Sequence, residues 1–292
     1  MLTLDRRRVI AGALAAMWVG TAAARGAPAP LSKLEELEMR SRGRLGVAFL
    51  DTASGLTLSH RATERFPMCS TFKLLAVAAV LSRADRHAEN LDRFVPYSSP
   101  DLITYSPVTS LHVRDKGMSV RALCEAAITQ SDNTAANLLL AAIGGPAGVT
   151  RFARSIGDHA TRLDRTEPSL NEAVAGDPRD TTTPNSMLGN LRSLLLGNAL
   201  SVTGRDTLLQ WLRGNQTGGA RLRAGLPAEW SVGDKTGSGE NGTTNDIAIA
   251  WPPSRPPVLM AAYLTGSPLS GDERNAVLAD VARAVSARPA PI

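Results

Sequence analysis

Lysine is nearly missing from this chain. Of 32 basic side chains among 292 residues, only Lys33, Lys73, Lys116 and Lys235 are lysines, leaving 28 arginines. A guanidinium stays protonated and cannot act as a base, so a lysine kept in so arginine-rich a chain marks a place where an amine is needed. Cysteine is scarcer still: Cys69 and Cys124 exclude the dense disulfide framework of small exported domains. The four histidines, His60, His87, His112 and His159, are scattered. No short His or Cys spacing of the zinc type occurs, so neither a metal nor a cofactor is expected. Aromatic residues make up 4% of the chain, and no basic stripe interleaved with them marks a nucleic-acid surface.

Residues 1–28 read as a targeting segment. Arg6-Arg7-Arg8 precedes a short apolar run from Val9 to Gly20, followed by small residues through Ala22-Ala23-Ala24. The run is too short to span a bilayer, and the adjacent arginines point to twin-arginine export, in which the protein crosses already folded. Arg6, Arg7, Arg8 and Arg25 against Asp5 carry +3 of the net +5, leaving +2 on the mature chain. The expectation is a periplasmic or secreted protein with no nucleic-acid partner and no membrane contact once the segment is cleaved.

At this length the chain buries a sizeable core. Residues 32–42 read as an opening helix with Ser32 and Glu35 as a capping box and Gly43 as its stop. Residues 45–50 and 56–60 read as strands around a turn at 51–55. From Ser70 to about Leu212 the patterning is helical, with Ala- and Leu-rich runs at 120–130, 134–143 and 187–197. The interruption is 162–184, a loop dense in Pro, Gly, Asp and Thr, and a loop that long in a compact domain is usually functional. Strands return at 230–234, 246–251 and 258–264, and a closing helix starts at a cap on Asp272 and runs through Val285. The predicted class is therefore α/β: an antiparallel sheet built from both ends of the chain and flanked by terminal helices, with an all-helical lobe inserted. The predicted division gives 29–66 and 213–292 to the α/β part and 67–212, including the loop, to the helical part.

Ser70-Thr71-Phe72-Lys73 opens the helical region. Residues three apart share a helix face, which brings Oγ and Nζ together, and Leu74 to Leu81 is apolar on every face, so the helix is expected to be buried. Burial lowers an amine's pKa, and an amine held neutral can deprotonate a serine. Three further clusters supply what such a nucleophile needs. Ser131-Asp132-Asn133 offers a hydroxyl to shuttle a proton and an amide to bind a carbonyl, besides reading as a helix N-cap. Lys235-Thr236-Gly237-Ser238, at the end of a strand on the sheet's edge, offers an ammonium and two hydroxyls to a carboxylate, with Gly237 admitting close approach. Glu167 and Asn171, within the long loop, can together hold and deprotonate a water.

Ser-x-x-Lys, Ser-Asp-Asn and Lys-Thr-Gly are the motif set of class A β-lactamases and penicillin-binding proteins. With Arg162-Leu163-Asp164-Arg165, the stretch Asp177 to Pro184 and Tyr105-Ser106-Pro107, the chain resembles a class A serine β-lactamase over essentially its whole mature length. The resemblance implies a monomer that hydrolyses β-lactams through an acyl-enzyme on Ser70. Lys73 or Glu167 would be the base for acylation, with Ser131 as the proton shuttle. The backbone N–H groups of Ser70 and Ser238 would hold the oxyanion, and Lys235, Thr236 and Ser238 the carboxylate, with Gly237 beside them in the substrate-binding strand. Asn133 would bind the substrate amide, Tyr105 would flank it, and Glu167 with Asn171 would hold the hydrolytic water. It also implies a cis peptide before Pro168 and an ion pair between Arg165 and Asp180. Members carry one arginine that supports carboxylate binding; Thr244 and Asn275 occupy two of its usual places, and Arg221 matches the third, so the resemblance implies that role for Arg221. Where many members have a cysteine opposite Cys124, this chain has Val77, and where some carbapenem-hydrolysing members have a partner for Cys69 it has Gly239, so two free thiols are expected. Penicillin-binding peptidases and non-hydrolysing β-lactam sensors share the serine chemistry; Glu167 argues against both.

Overall fold

The computed structural model describes residues 30–287. Along the chain it runs α1 (Pro30–Ser41), β1 (Arg44–Asp51), β2 (Thr57–His60), β3 (Phe66–Pro67), α2 (Lys73–Asp85), β4 (Phe94–Pro96), β5 (Gly117–Ser119), α3 (Val120–Thr129), α4 (Asn133–Ala142) and α5 (Pro146–Ser155). It continues with β6 (Thr181–Thr182), α6 (Pro184–Leu195), α7 (Val202–Arg213), α8 (Leu222–Gly225), β7 (Ser231–Gly239), β8 (Thr243–Trp251), β9 (Val258–Thr265) and α9 (Gly271–Ser286). A short 3₁₀ turn, Cys69–Phe72, leads into α2. The expected targeting segment lies outside the described residues.

One antiparallel sheet of five strands, ordered β2-β1-β9-β8-β7, joins the two ends of the chain. Strand side chains alternate between faces, and the sheet here is covered on both. Leu264, Ala262 and Met260 of β9 pack with α1 and α9 through Leu34, Leu37, Leu278 and Val281. Tyr263, Ala261 and Leu259 face the other way, into the helical lobe. That lobe centres on α2, every residue of which from Lys73 to Ser82 is buried. A helix apolar all round is stable only where every face meets protein, and each fully buried Leu or Val contributes about 1.5–3 kcal/mol.

Several expected boundaries move. Ser32 lies inside α1 rather than capping it, because the helix already includes Pro30. Arg42, at φ 51°, takes the left-handed position expected of Gly43. At the other end Ser270, not Asp272, caps α9 and forms a capping box with Glu273. Lys235 to Ser238 lie within β7 rather than at its end, since pairing with β8 continues to Gly239. The small ladders β3–β6 and β4–β5 went unpredicted because strands of two or three residues carry no periodicity.

β7 is one of the sheet's two edge strands, opposite β2, and it runs beside the 3₁₀ turn that carries Ser70. The approach is close enough to require glycine: a Cβ at Gly237 would lie 2.7 Å from Met68 O and 3.2 Å from Ser70 N. The sheet edge, the start of α2 and the long loop meet at this seam.

Candidate active site

Ser70 emerges from the 3₁₀ turn with 9% of its surface accessible, and Lys73, at the first position of α2, is fully buried. The two were expected to meet directly, but no hydrogen bond joins Ser70 Oγ to Lys73 Nζ. They converge instead on one oxygen of Glu167. Ser70 Oγ donates to Oε1 at 3.0 Å, and Lys73 Nζ is 3.1 Å from the same atom. Competing acceptors account for this: Lys73 Nζ also donates to Ser131 O at 2.8 Å, Asn133 Oδ1 at 2.6 Å and Ser131 Oγ at 3.3 Å. Burial pushes the Lys73 pKa below the usual lysine range, and the Glu167 carboxylate opposes that shift.

Ser131 and Asn133 reach this point because Asp132 caps α4. Its carboxylate accepts from Ala135 N at 2.8 Å and, from the facing loop, from Val108 N and Thr109 N at 2.9 Å. Asn133 N in turn donates to Tyr105 O at 3.0 Å, which fixes the loop that presents the half-exposed Tyr105 ring. Cys69, Tyr105 and Ser131 all hold positive φ (45°, 65° and 56°), a conformation costing non-glycine residues on the order of 1–3 kcal/mol. Three such residues around one cavity mark a place where geometry is kept against local preference.

Ser131 Oγ also accepts from Lys235 Nζ at 2.9 Å, so it stands between two lysines. Lys235 is wholly buried; burial first, and then the charge of Lys73, pushes its pKa well below the lysine range. Beside it, Thr236 Oγ1 and Thr217 Oγ1 are hydrogen-bonded at 2.5 Å. Arg221 spreads its guanidinium over four partners: Gly237 O at 2.9 Å, Asn245 O at 2.7 Å, Ser238 Oγ at 2.7 Å and, through Nε, Asn275 Oδ1 at 2.9 Å.

The loop that brings Glu167 is irregular but not loose. Asp180 Oδ1 accepts from Asp164 N at 2.8 Å and Arg165 N at 2.9 Å, and its Oδ2 from Arg165 Nε at 2.6 Å. Asn137 grips the backbone of Glu167 twice, accepting from its N–H at 3.0 Å and donating to its C=O at 2.9 Å. The Glu167–Pro168 peptide is cis. Asn171 Nδ2 donates to Glu167 Oε2 at 2.5 Å, while Asn171 Oδ1 is buried without a hydrogen-bond partner.

These groups surround a cavity of ≈ 520 Å³ lined by Ser70, Tyr105, Ser131, Asn133, Asn171, Arg221, Thr236, Gly237 and Ser238. Lys73, Glu167 and Lys235 stand just behind its wall. Gln130, Gln216 and Thr217 also line it, and sequence reasoning missed them because they sit in connecting turns with no pattern of their own. Asn137 was missed too, because its partner, the Glu167 backbone, lies 30 residues further along the chain. A larger cavity, ≈ 660 Å³, lies behind the loop near Arg44 and Val174 and holds none of this chemistry. Cys69 and Cys124 are both buried and unbridged, with burial pushing each thiol's pKa up. Among the described residues no group of three or more His, Cys, Asp or Glu could hold a metal, and no helix is long and apolar enough to cross a membrane.

A hydroxyl and an amine meeting on one carboxylate oxygen, and a second hydroxyl between two lysines, are an arrangement able to carry out acyl transfer. Comparison with known proteins agrees. Residues 30–288 match the model of the beta-lactamase enzyme family. The chain is 52% identical over 254 residues, 87% of each protein, to beta-lactamase CTX-M-8 of Citrobacter amalonaticus. It is 47% identical to beta-lactamase AST-1 of Nocardia asteroides, with 96% of this chain and 95% of that protein covered. Among solved structures, the reconstructed class A β-lactamase of the last common ancestor of Gram-negative bacteria superposes with a TM-score of 0.87. It is 63% identical, with 88% of this chain and 98% of that one covered.

Proposed function

The chain belongs to the β-lactamase enzyme family as a class A member and hydrolyses β-lactam antibiotics, conferring resistance; from that premise we propose how its own residues carry the reaction. Ser70 attacks the lactam carbonyl and passes its proton to Glu167, the acceptor its hydroxyl already addresses at 3.0 Å. Lys73, donating to its neighbours, steadies that carboxylate, and its depressed pKa makes it the second group able to take the proton. The N–H groups of Ser70 and Ser238 hold the oxyanion. As the C–N bond breaks, Ser131 gives its proton to the departing nitrogen and takes one from Lys73; Lys73 recovers that proton from Glu167, which is left ionised and able to act as a base again. Lys235, Thr236, Ser238 and Arg221 bind the substrate carboxylate, Gly237 keeps the passage open, Asn133 binds the side-chain amide and Tyr105 closes the mouth. An anion arriving beside Lys235 favours its charged form, so carboxylate binding and protonation of that lysine are linked. A water between Glu167 and the unpaired Asn171 Oδ1 then hydrolyses the ester.

The observation that carries this reading is the division of one carboxylate: Oε1 serves Ser70 and Lys73, while Oε2 is tied to Asn171. The peptidase and sensor alternatives give way, because the relatives matched over most of the chain are β-lactamases. Following hydrolysis of a chromogenic cephalosporin tests the nucleophile. Ser70→Ala is expected to abolish turnover and to yield no adduct by intact mass; a Ser70→Ala protein that still forms a covalent adduct would overturn the assignment.

We further propose that the protein acts as a monomer without a cofactor, and that 29–66 with 213–292 and 67–212 are its two structural parts. Residues 1–28 direct export by the twin-arginine route; replacing Arg6, Arg7 and Arg8 with lysine should leave the protein in the cytoplasmic fraction, and normal export of that variant would contradict the route.

A further inference from the structure

Strand β8 carries a buried acid that the reaction above does not use. Asp246 is wholly inaccessible and pairs in register with Thr236 of β7. Its Oδ2 accepts from Leu222 N at 3.1 Å, at the turn that launches Arg221 into the cavity. Its Oδ1 is buried with no hydrogen-bond partner. The charged groups facing it are Asp234 and Lys235 from β7 and Arg221 from the turn before α8. None of them hydrogen-bonds to it. Arg221 is spent on Gly237, Asn245, Ser238 and Asn275; Lys235 on Ser131 and Thr236. Asp234 is held by Arg223 and by Asn215. A carboxylate buried with one neutral donor, close to a second carboxylate, pays heavily for its charge, whereas a neutral acid does not. Burial and the neighbouring Asp234 accordingly push its pKa well above the carboxylate range.

We infer that Asp246 is a positioning residue that works as a neutral acid: it anchors the Arg221–Leu222 turn, aiming Arg221 at the substrate carboxylate, without discharging the clamp. An ionised Asp246 would compete with that carboxylate for Arg221 and Lys235. The inference rests on the reading of Arg221 as a carboxylate contact, and Arg221→Ala controls for it.

Steady-state kinetics on a β-lactam and a double-mutant cycle test both. Arg221→Ala should raise KM about tenfold with little change in kcat. Asp246→Ala should raise KM by a similar factor and add nothing in the Arg221→Ala background. Asp246→Asn, neutral and isosteric, should keep KM within about twofold of the native enzyme. If Arg221→Ala leaves KM unchanged, the carboxylate reading fails. If Arg221→Ala raises KM and Asp246→Ala does not, or the two effects add, the positioning role fails. If Asp246→Asn behaves like Asp246→Ala, the neutral-acid assignment fails. Infrared difference spectra of native and Asp246→Asn protein at neutral pH decide the protonation state even where Asp246→Ala does not fold. A protonated-carboxyl C=O band lost in Asp246→Asn supports the inference, and its absence from native protein overturns it.

Discussion

Helix α2 with the turn before it, and the loop spanning 162–184, bring the two sets of proposed catalytic side chains to one cavity, and they are held by opposite means. α2 places Lys73 at its first position, and Ser70 on the 3₁₀ turn leading into it, by burying an apolar cylinder on every side, with Leu74, Leu75, Val77 and Val80 all inaccessible. The loop places Glu167 and Asn171 with almost no core of its own. Its positions come from side chains bonded to backbone: Asp180 to Asp164 and Arg165, and Asn137 to Glu167. The proposed nucleophile is thus fixed by packing, which fails globally, and the carboxylate proposed to activate the water by polar contacts, which fail locally. In the proposed mechanism a loop mutation therefore slows deacylation most, because Lys73 can replace Glu167 as proton acceptor in acylation and no other group is placed at the water.

The largest effect expected on the loop side comes from Glu167→Gln, which keeps shape and removes the base. Turnover should fall by about 10²–10⁴-fold, measured as steady-state kcat, with the melting temperature nearly unchanged. On the packing side, Leu75→Ala should lower unfolding free energy by about 2–5 kcal/mol in denaturant titration while the remaining folded enzyme keeps its deacylation rate. Asp180→Ala takes the acceptor from the Asp164 and Arg165 N–H groups and leaves the Arg165 guanidinium with Glu172 as its remaining partner. It should cost about 1–3 kcal/mol and slow deacylation more than acylation in single-turnover kinetics; equal slowing would erase the distinction.

The pH profile sharpens the same contrast. Lys73 and Lys235 have pKa values depressed below 10.5, so their charge is lost as pH rises through a value lower than that. The alkaline limb of kcat/KM should fall below the ordinary lysine range, and a limb at or above it would contradict their burial. The smallest effect concerns the thiols. With Cys69 and Cys124 unbridged, reductant should leave the melting temperature unchanged.

The same division governs how much was legible in the sequence. Ser70, Lys73 and the buried helix were readable because spacing and apolarity are local properties of the chain. The sheet's class followed from strands at both ends and helices between them. Glu167 and Asn171 stood out through loop composition and resemblance, but their anchors did not: Asn137 lies 30 residues before Glu167, and nothing in one sequence signals that pairing. The expected contact between Ser70 and Lys73 followed from helical spacing alone. It did not form, because Ser131 and Asn133, brought in from 58 and 60 residues away, claim the amine. The cap of α9 shifted from Asp272 to Ser270 for a milder reason: both residue types cap helices, and Glu273 completes a box with the serine.

The claim that one scaffold holds two separable half-reactions is tested most directly by the intact mass of the protein over time after mixing with benzylpenicillin, native beside Glu167→Ala. The native chain should show an adduct that forms and disappears as substrate is consumed. Glu167→Ala should acylate, with Lys73 left to take the proton, and keep the adduct, because no other group is placed to activate the water. A native adduct that persists, or a Glu167→Ala protein that returns to its free mass as fast as the native one, would contradict the account.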